Sequence, residues 1–197
     1  MPNVLVATGE GVYCPAGDFH IDPWRPVQRA VITHAHADHA RAGSEHYLTT
    51  PDGAGLLRHR LGSGASIDTL DDGSTMTFGD ATVSLHPAGH VLGSAQVRVE
   101  VDDEVWVITG DYKVAPDPTC RPFETVPCDV LITEATFALP IYRWRHDADV
   151  FAQINDWWRQ SRKQGRTCML LAYSLGKAQR VLAGLDASIG PILVHGA

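Results

Sequence analysis

The stretch Ala30-Val31-Ile32-Thr33-His34-Ala35-His36-Ala37-Asp38-His39 places four metal-ligand side chains within six residues, directly behind a short apolar run. The run reads as a buried strand. Imidazole and carboxylate are the ligand types that suit zinc and similar cations. Four such groups beside a core strand cannot be buried without partners, because an unpaired imidazole or charge is costly to desolvate. The intervening alanines leave room for the chain to turn tightly. A surface histidine cluster is a poor alternative for a segment that follows a core strand.

Two later positions extend the pattern. His90 lies in Pro87-Ala-Gly-His-Val-Leu-Gly-Ser94 and Asp111 in Thr109-Gly-Asp-Tyr112. Each is a ligand-type residue at a strand end beside a glycine, where loops carry function. Either one alone would be read as a turn residue.

Around these motifs, Val4–Ala7, Ala30–Thr33, Tyr47–Thr49, Thr82–His86, Gln96–Val101, Val105–Thr109 and Val130–Thr133 read as strands. Asp102-Asp103 reads as a hairpin turn. Pro51 opens a helix to about Arg60, stopped by Gly62. After Thr136 the pattern changes. Asp147 is expected to cap a helix with Val150, Phe151, Ile154, Trp157 and Trp158 on a core face. A buried strand at 167–173, a helix from about Leu175 capped by Ser174, and a last strand at 192–195 complete a strand–helix–strand alternation, which suggests a parallel α/β layer.

The 197 residues suffice for one sizeable domain and part of another. Four scattered cysteines without a Cys-x-x-Cys pair argue against a zinc knuckle or a disulfide framework. No apolar run is long enough to span a bilayer, and the N-terminal stretch has no secretory pattern. The expectation is a cytoplasmic protein with no membrane partner. The net charge is −7, but residues 141–180 hold eight of the sixteen basic side chains and three acids. That segment is therefore +5 against −12 elsewhere, which suits either a phosphate-binding face or an ordinary solvated helix.

The His-x-His-x-Asp-His motif, the Gly-His and the Gly-Asp together resemble the metallo-β-lactamase superfamily. The resemblance implies a four-layer αβ/βα sandwich, incomplete in this chain, with two divalent ions (zinc, or manganese) between the sheets. It assigns His34, His36 and His90 to one ion, Asp38 and His39 to the other, and Asp111 to both. Asp22, in Phe19-His-Ile-Asp-Pro23, matches the family's early aspartate that orients the motif loop; on its own it could equally be a turn-former before proline.

Glu134, in Ile132-Thr-Glu-Ala-Thr-Phe137, resembles the acidic position that opens the β-CASP subgroup of nucleases. Tyr173-Ser-Leu-Gly-Lys-Ala-Gln-Arg180 resembles the helix whose start faces nucleic acid in that subgroup. The resemblance makes Ser174, Lys177 and Arg180 nucleic-acid contacts, and Asp38 and Glu134 catalytic. A plain capped helix is the reading from the residues alone. Phrases such as Leu85-His-Pro-Ala-Gly-His-Val-Leu-Gly-Ser94 and Leu139-Pro-Ile-Tyr-Arg-Trp144 resemble bacterial ligase-associated DNA exonucleases, some of whose relatives are labelled mRNA 3′-end processing factors.

The implied organisation is a metallo-β-lactamase core over 1–140 and the start of a β-CASP α/β domain over 141–197. The implied activity is a DNA 3′-end exonuclease, associated with DNA ligase and repair, in which a hydroxide activated by two metals attacks the phosphodiester. An RNA 3′-end processing nuclease is the first alternative. The second is a catalytically incomplete metal- or nucleic-acid-binding fragment. It arises because two later β-CASP histidines have no match here, His195 being too near Glu134, so a longer enzyme is expected.

Overall fold

Side chains alternate across β4 (Arg29–Val31) and the residue beyond it, so that Val31 joins one apolar cluster while Ala30 and Ile32 join another. This period of two is what a strand buried on both faces produces, and it sets the layers. The structure is a computed structural model that describes residues 3–195. Two compact units divide between Glu134 and Ala135.

In the first unit, β1 (Val6–Ala7), β2 (Val12–Cys14), β3 (Phe19–Ile21), β4, β5 (His46–Thr49) and β6 (Ile67–Thr69) form a six-stranded sheet in chain order. The first three are antiparallel; β3 to β6 run parallel. The second sheet has the order β11-β10-β9-β8-β7, built from β7 (Thr75–Phe78), β8 (Ala81–Pro87), β9 (Ala95–Val101), β10 (Glu104–Ile108) and β11 (Val130–Ile132). All its pairings are antiparallel except β10 with β11.

Phe19, Ile21, Val31 and Leu48 of the first sheet pack with Val83, Leu85, Val97 and Val99 of the second. Helix α1 (Pro51–Leu61) joins β5 to β6 and packs Leu57 against Ala30, Ile32 and Tyr47 on the other face of the first sheet. Thr50 Oγ1 accepts from the Gly53 amide, Pro51 occupies the first turn, and Gly62 ends the helix with φ 96°. Two packed sheets with α1 outside the first are consistent with the expected, incomplete αβ/βα sandwich; among the described residues of this unit no helix covers the second sheet. Between β9 and β10, Asp102 and Asp103 both take left-handed φ, 49° and 66°, as a two-residue hairpin with the right-handed twist requires. Strands β2, β3, β6 and β7 were not expected. They are three or four residues long and owe their state to pairing more than to pattern.

The second unit departs from expectation. It contains α2 (Asp147–Lys163) and α3 (Lys177–Gly184). The segments 167–173 and 192–195 form no ladder among the described residues, and Leu171 and Leu193 are more than nine-tenths exposed. An apolar segment becomes a strand only where its amides and carbonyls find a neighbouring strand. Asp147 does not cap α2. Its carboxylate accepts from Arg180 Nε at 3.1 Å and also from Arg180 Nη2, tying α2 to α3. Ser174 does not cap α3. Gly176 stands at the cap, and Gln179 accepts from its amide at 2.8 Å while donating to the Ser174 carbonyl. Of the expected core face of α2, Val150, Phe151, Ile154 and Trp158 are half-buried and Trp157 is exposed. Asn155 is the buried residue there, donating to the Gly184 carbonyl and accepting from the Asp186 amide.

No helix among the described residues is long and apolar enough to cross a membrane. The four cysteines are free thiols.

Leu85 is fully buried between the sheets. Leu85→Ala is expected to lower unfolding stability by about 2–5 kcal/mol. Urea denaturation checks this, with the midpoint falling at unchanged slope.

Candidate metal centre

The ligand-type residues all follow the C-terminal ends of strands. Asp22 follows β3, Thr33 to His39 follow β4, His90 follows β8, and Asp111 follows β10. The parallel pairing β3–β4 and the alternation β8–β9–β10 send these ends the same way within each sheet. The Thr33 carbonyl accepts from the Ala95 amide at 2.8 Å, joining the end of β4 to the start of β9 across the sandwich.

The loops are held at close quarters. Ser94 Oγ accepts from the amides of both His90 and Val91, at 3.0 and 3.1 Å. Gly110, with φ 55°, lies so near Thr33 that an added Cβ would stand 2.7 Å from the Thr33 Cβ. Only glycine allows Asp111 to emerge there. Arg60, on α1, donates to the Ala35 carbonyl. Glu134 Oε1 accepts from the amide of Tyr112, next to Asp111, at 3.2 Å.

Ligand atoms of His34, His36, His90 and Asp111 all lie within 4.8 Å of one another. His36 Nδ1 is 2.9 Å from His34 Nε2 and 3.3 Å from His90 Nε2. Asp111 Oδ2 is 3.8 Å from His34 Nε2 and 3.6 Å from His90 Nε2. Four ligands at about 2.0–2.1 Å from a tetrahedral zinc stand about 3.3–3.4 Å apart, so this donor set fits one cation. The other Asp111 oxygen, Oδ1, is 3.4 Å from His39 Nε2, which is 3.8 Å from Asp38 Oδ2. The two Asp111 oxygens therefore face two separate groups of donors. Asp38 is the open member, its side chain 75% exposed.

Hydrogen bonds orient the ring lone pairs. Asp22 accepts three times. Its Oδ1 takes the Thr33 amide at 2.8 Å, and its Oδ2 takes the Thr33 hydroxyl at 2.5 Å and His39 Nδ1 at 2.7 Å. With its proton committed to Asp22, the Thr33 hydroxyl accepts from His34 Nδ1 at 3.0 Å. The Nε2 atom of His34 is left with a lone pair aimed inward, and His39 Nε2 faces Asp111 Oδ1, where a cation could replace its proton. Such outer partners fix the tautomer of a metal-ligating histidine. Asp22 holds a left-handed backbone, φ 43°, to do this.

Burial first, then the neighbouring imidazoles, push His34 down to about 2, and burial also lowers His90. Both are neutral at ordinary pH. Burial works against a proton on His39, but its hydrogen bonds to Asp111 and Asp22 outweigh that and raise it to about 10. The hydrogen bond from His39, helped by the His39 charge, holds Asp111 down to about 2 against burial. A cation opposite Asp111 Oδ1 would take the place of the His39 proton.

The structure thus brings together His34, His36, Asp38, His39, His90, Asp111 and Asp22. Sequence reasoning singled out Gly110 only as part of the Gly-Asp motif, without its packing against Thr33, and missed Thr33 and Ser94. Their signals were a hydroxyl directly before the first histidine and a hydroxyl four residues after His90. In the second unit, Ser174 and Lys177 are exposed, with Lys177 Nζ 5.5 Å from the centre of the Tyr173 ring. Arg180 is held by Asp147.

No family model matches the chain. A protein of Opitutus terrae named "Probable DNA ligase" is 32% identical over 192 residues, covering 96% of this chain and 19% of the relative. "Endoribonuclease YSH1" of Yarrowia lipolytica is 31% identical over 122 residues, 61% of this chain and 14% of the relative. "Cleavage and polyadenylation specificity factor 73" of Drosophila melanogaster is 34% identical over 101 residues, 50% of this chain and 14% of the relative. The chain thus spans about a fifth or less of the length of these relatives.

Asp22→Asn removes an acceptor that Thr33 and His39 share, and Thr33→Val removes the acceptor for His34. Each is expected to weaken metal affinity about 10- to 100-fold with the fold intact. Competition against a chromophoric chelator, with far-ultraviolet circular dichroism as control, measures this. Unchanged affinity in both variants would refute the orienting role.

Proposed function

We propose that the chain, which is similar to a ligase-named protein and to RNA-processing nucleases, is the metal-centre portion of a β-CASP-type metallo-β-lactamase-fold phosphodiesterase that trims DNA 3′ ends in association with ligation. The observation that carries this is the Asp111 carboxylate, with one oxygen toward His34 and His90 and the other toward His39. A carboxylate so placed can join two cations, and the fold implies divalent metal ions. The donor set of nitrogens and carboxylate oxygens suits zinc, with manganese as the alternative. Two divalent ions held there would supply an acidified water and positive charge for the scissile phosphate.

The chain's own residues do the rest. His34, His36 and His90 would hold one ion, His39 and Asp38 the other, and Asp111 could reach both. Asp38, open to solvent, can accept a hydrogen bond from an attacking water and so orient it. Glu134 grips the Tyr112 amide and thereby sets the direction of Asp111; its role is positioning. Ser174, Lys177 and Arg180 would contact the strand, Arg180 after exchanging Asp147 for a phosphate.

DNA is favoured over RNA because the similarity to the ligase-named relative runs through 96% of the chain, whereas that to the endoribonuclease covers 61%. A DNA ligase is the corresponding partner. The second position has two carboxylates and one imidazole, against three imidazoles and a carboxylate at the first. It should bind its ion more weakly, so the isolated chain should cut poorly unless metal is in excess.

Labelled DNA and RNA strands of one sequence test the reading. The 197-residue chain with excess zinc or manganese is expected to cut DNA in preference, to lose activity to a chelator, and to regain it on metal addition. Asp111→Ala is expected to slow cutting by at least about 100-fold, the loss typical of removing a charge-stabilising group from a site. Preferential cutting of RNA would move the assignment to RNA 3′-end processing. Cutting that survives metal removal would end the metal-dependent reading.

A further inference from the structure

The stretch Phe137-Ala-Leu-Pro-Ile-Tyr-Arg-Trp-Arg145 has an aromatic arrangement that the metal centre does not use. It is built locally. The Ala138 amide donates to the Ala135 carbonyl and the Tyr142 amide to the Leu139 carbonyl, making two short turns, the second with Pro140 at its second position. These turns bring three rings together. Phe137 stands edge-on to Tyr142 and to Trp144, with centroids 5.0 Å apart in both cases and interplanar angles of 78° and 87°. Tyr142 and Trp144 are parallel to within 9° at 6.4 Å. Edge-to-face contacts of this kind are favourable and fix ring orientation.

The rings are not core. Phe137 is 56% exposed, Tyr142 43% and Trp144 73%. Exposed rings held in a fixed arrangement beside cations can stack a planar ligand. Its surroundings define the occupant. Residues 135–146 carry Arg143 and Arg145 and no acid. The two arginines alternate with the rings and are themselves exposed. The stretch contains no strand or helix that could extend a peptide's backbone pairing. Parallel π-faces interleaved with cations match unpaired bases joined by phosphates, since every base has a face to stack and every link a charge to neutralise.

We propose that Phe137, Tyr142 and Trp144, with Arg143 and Arg145, form a stacking platform for a single-stranded segment of the nucleic acid. Tyr142 and Trp144 take the bases, Phe137 braces both rings, and the arginines meet the flanking phosphates. The proposal rests on the nucleic-acid reading above and adds a preference for unpaired bases over duplex.

Fluorescence anisotropy on the 197-residue chain tests it, with a labelled oligothymidylate and an abasic strand of equal phosphate number as probes. Trp144→Ala is expected to weaken oligothymidylate binding about five- to hundredfold and to leave abasic binding unchanged. Trp144→Phe is expected to keep most of the affinity. The double change of Arg143 and Arg145 to Gln should weaken both probes alike. Equal loss on both probes in Trp144→Ala, or no loss on either, overturns the platform while wild-type binding leaves the nucleic-acid reading standing. A wild-type chain that binds neither probe overturns both.

Discussion

Three donors converge on the carboxylate of Asp22, and the orientation of the metal centre depends on them. Imidazole nitrogens can share a cation only if each presents a lone pair to it. Two neighbouring rings left to themselves would trade a proton instead. Asp22 removes that freedom by taking the protons of Thr33 and His39, and Thr33 then takes that of His34. A half-buried carboxylate can be this demanding because an unsatisfied partner there would cost more than the bond gains. The positive φ at Asp22 is a backbone cost that the three hydrogen bonds offset.

Much of the first unit was legible because its signals are chemical and periodic at once. The histidine cluster follows a strand whose alternate residues pack in opposite directions, and no other element type explains both facts. The Asp102-Asp103 turn and the Pro51–Gly62 punctuation were readable because each residue has a specific backbone use. The short strands were not readable: Phe19-His20-Ile21 is too brief for a period, and its state is set by the neighbours β2 and β4. Of the site, the ligand types could be found in the sequence, but their orienting partners could not. Hydroxyls and glycines are common in loops. The use of Thr33 appears only when the chain brings Asp22 beside it, and the use of Gly110 only when Thr33 is packed against it.

The second unit shows the opposite lesson. Apolar content suggested two buried strands, but apolar residues say only that a segment would gain from burial, not where a partner lies. Capping reasoning failed for a related cause. Asp147 and Ser174 are good caps in isolation, yet Asp147 gains more from the Arg180 guanidinium across the helix pair. The Gln179 side chain organises the start of α3 without the Ser174 hydroxyl. The aromatic rings of 137–144 and those of α2 look alike in composition. Phe151 and Trp158 of α2 are half-buried, whereas Phe137 and Trp144 are turned to solvent.

The account's central claim is that one carboxylate, Asp111, divides the donors into a strong and a weak cation position. Titrating zinc into the metal-free chain while following bound metal tests it most directly. The prediction is two steps. The tight one should vanish in His36→Ala, and the weak one should vanish in His39→Ala, which leaves the tight step in place. A single step lost equally in both variants, or tight binding that survives His36→Ala, would contradict it.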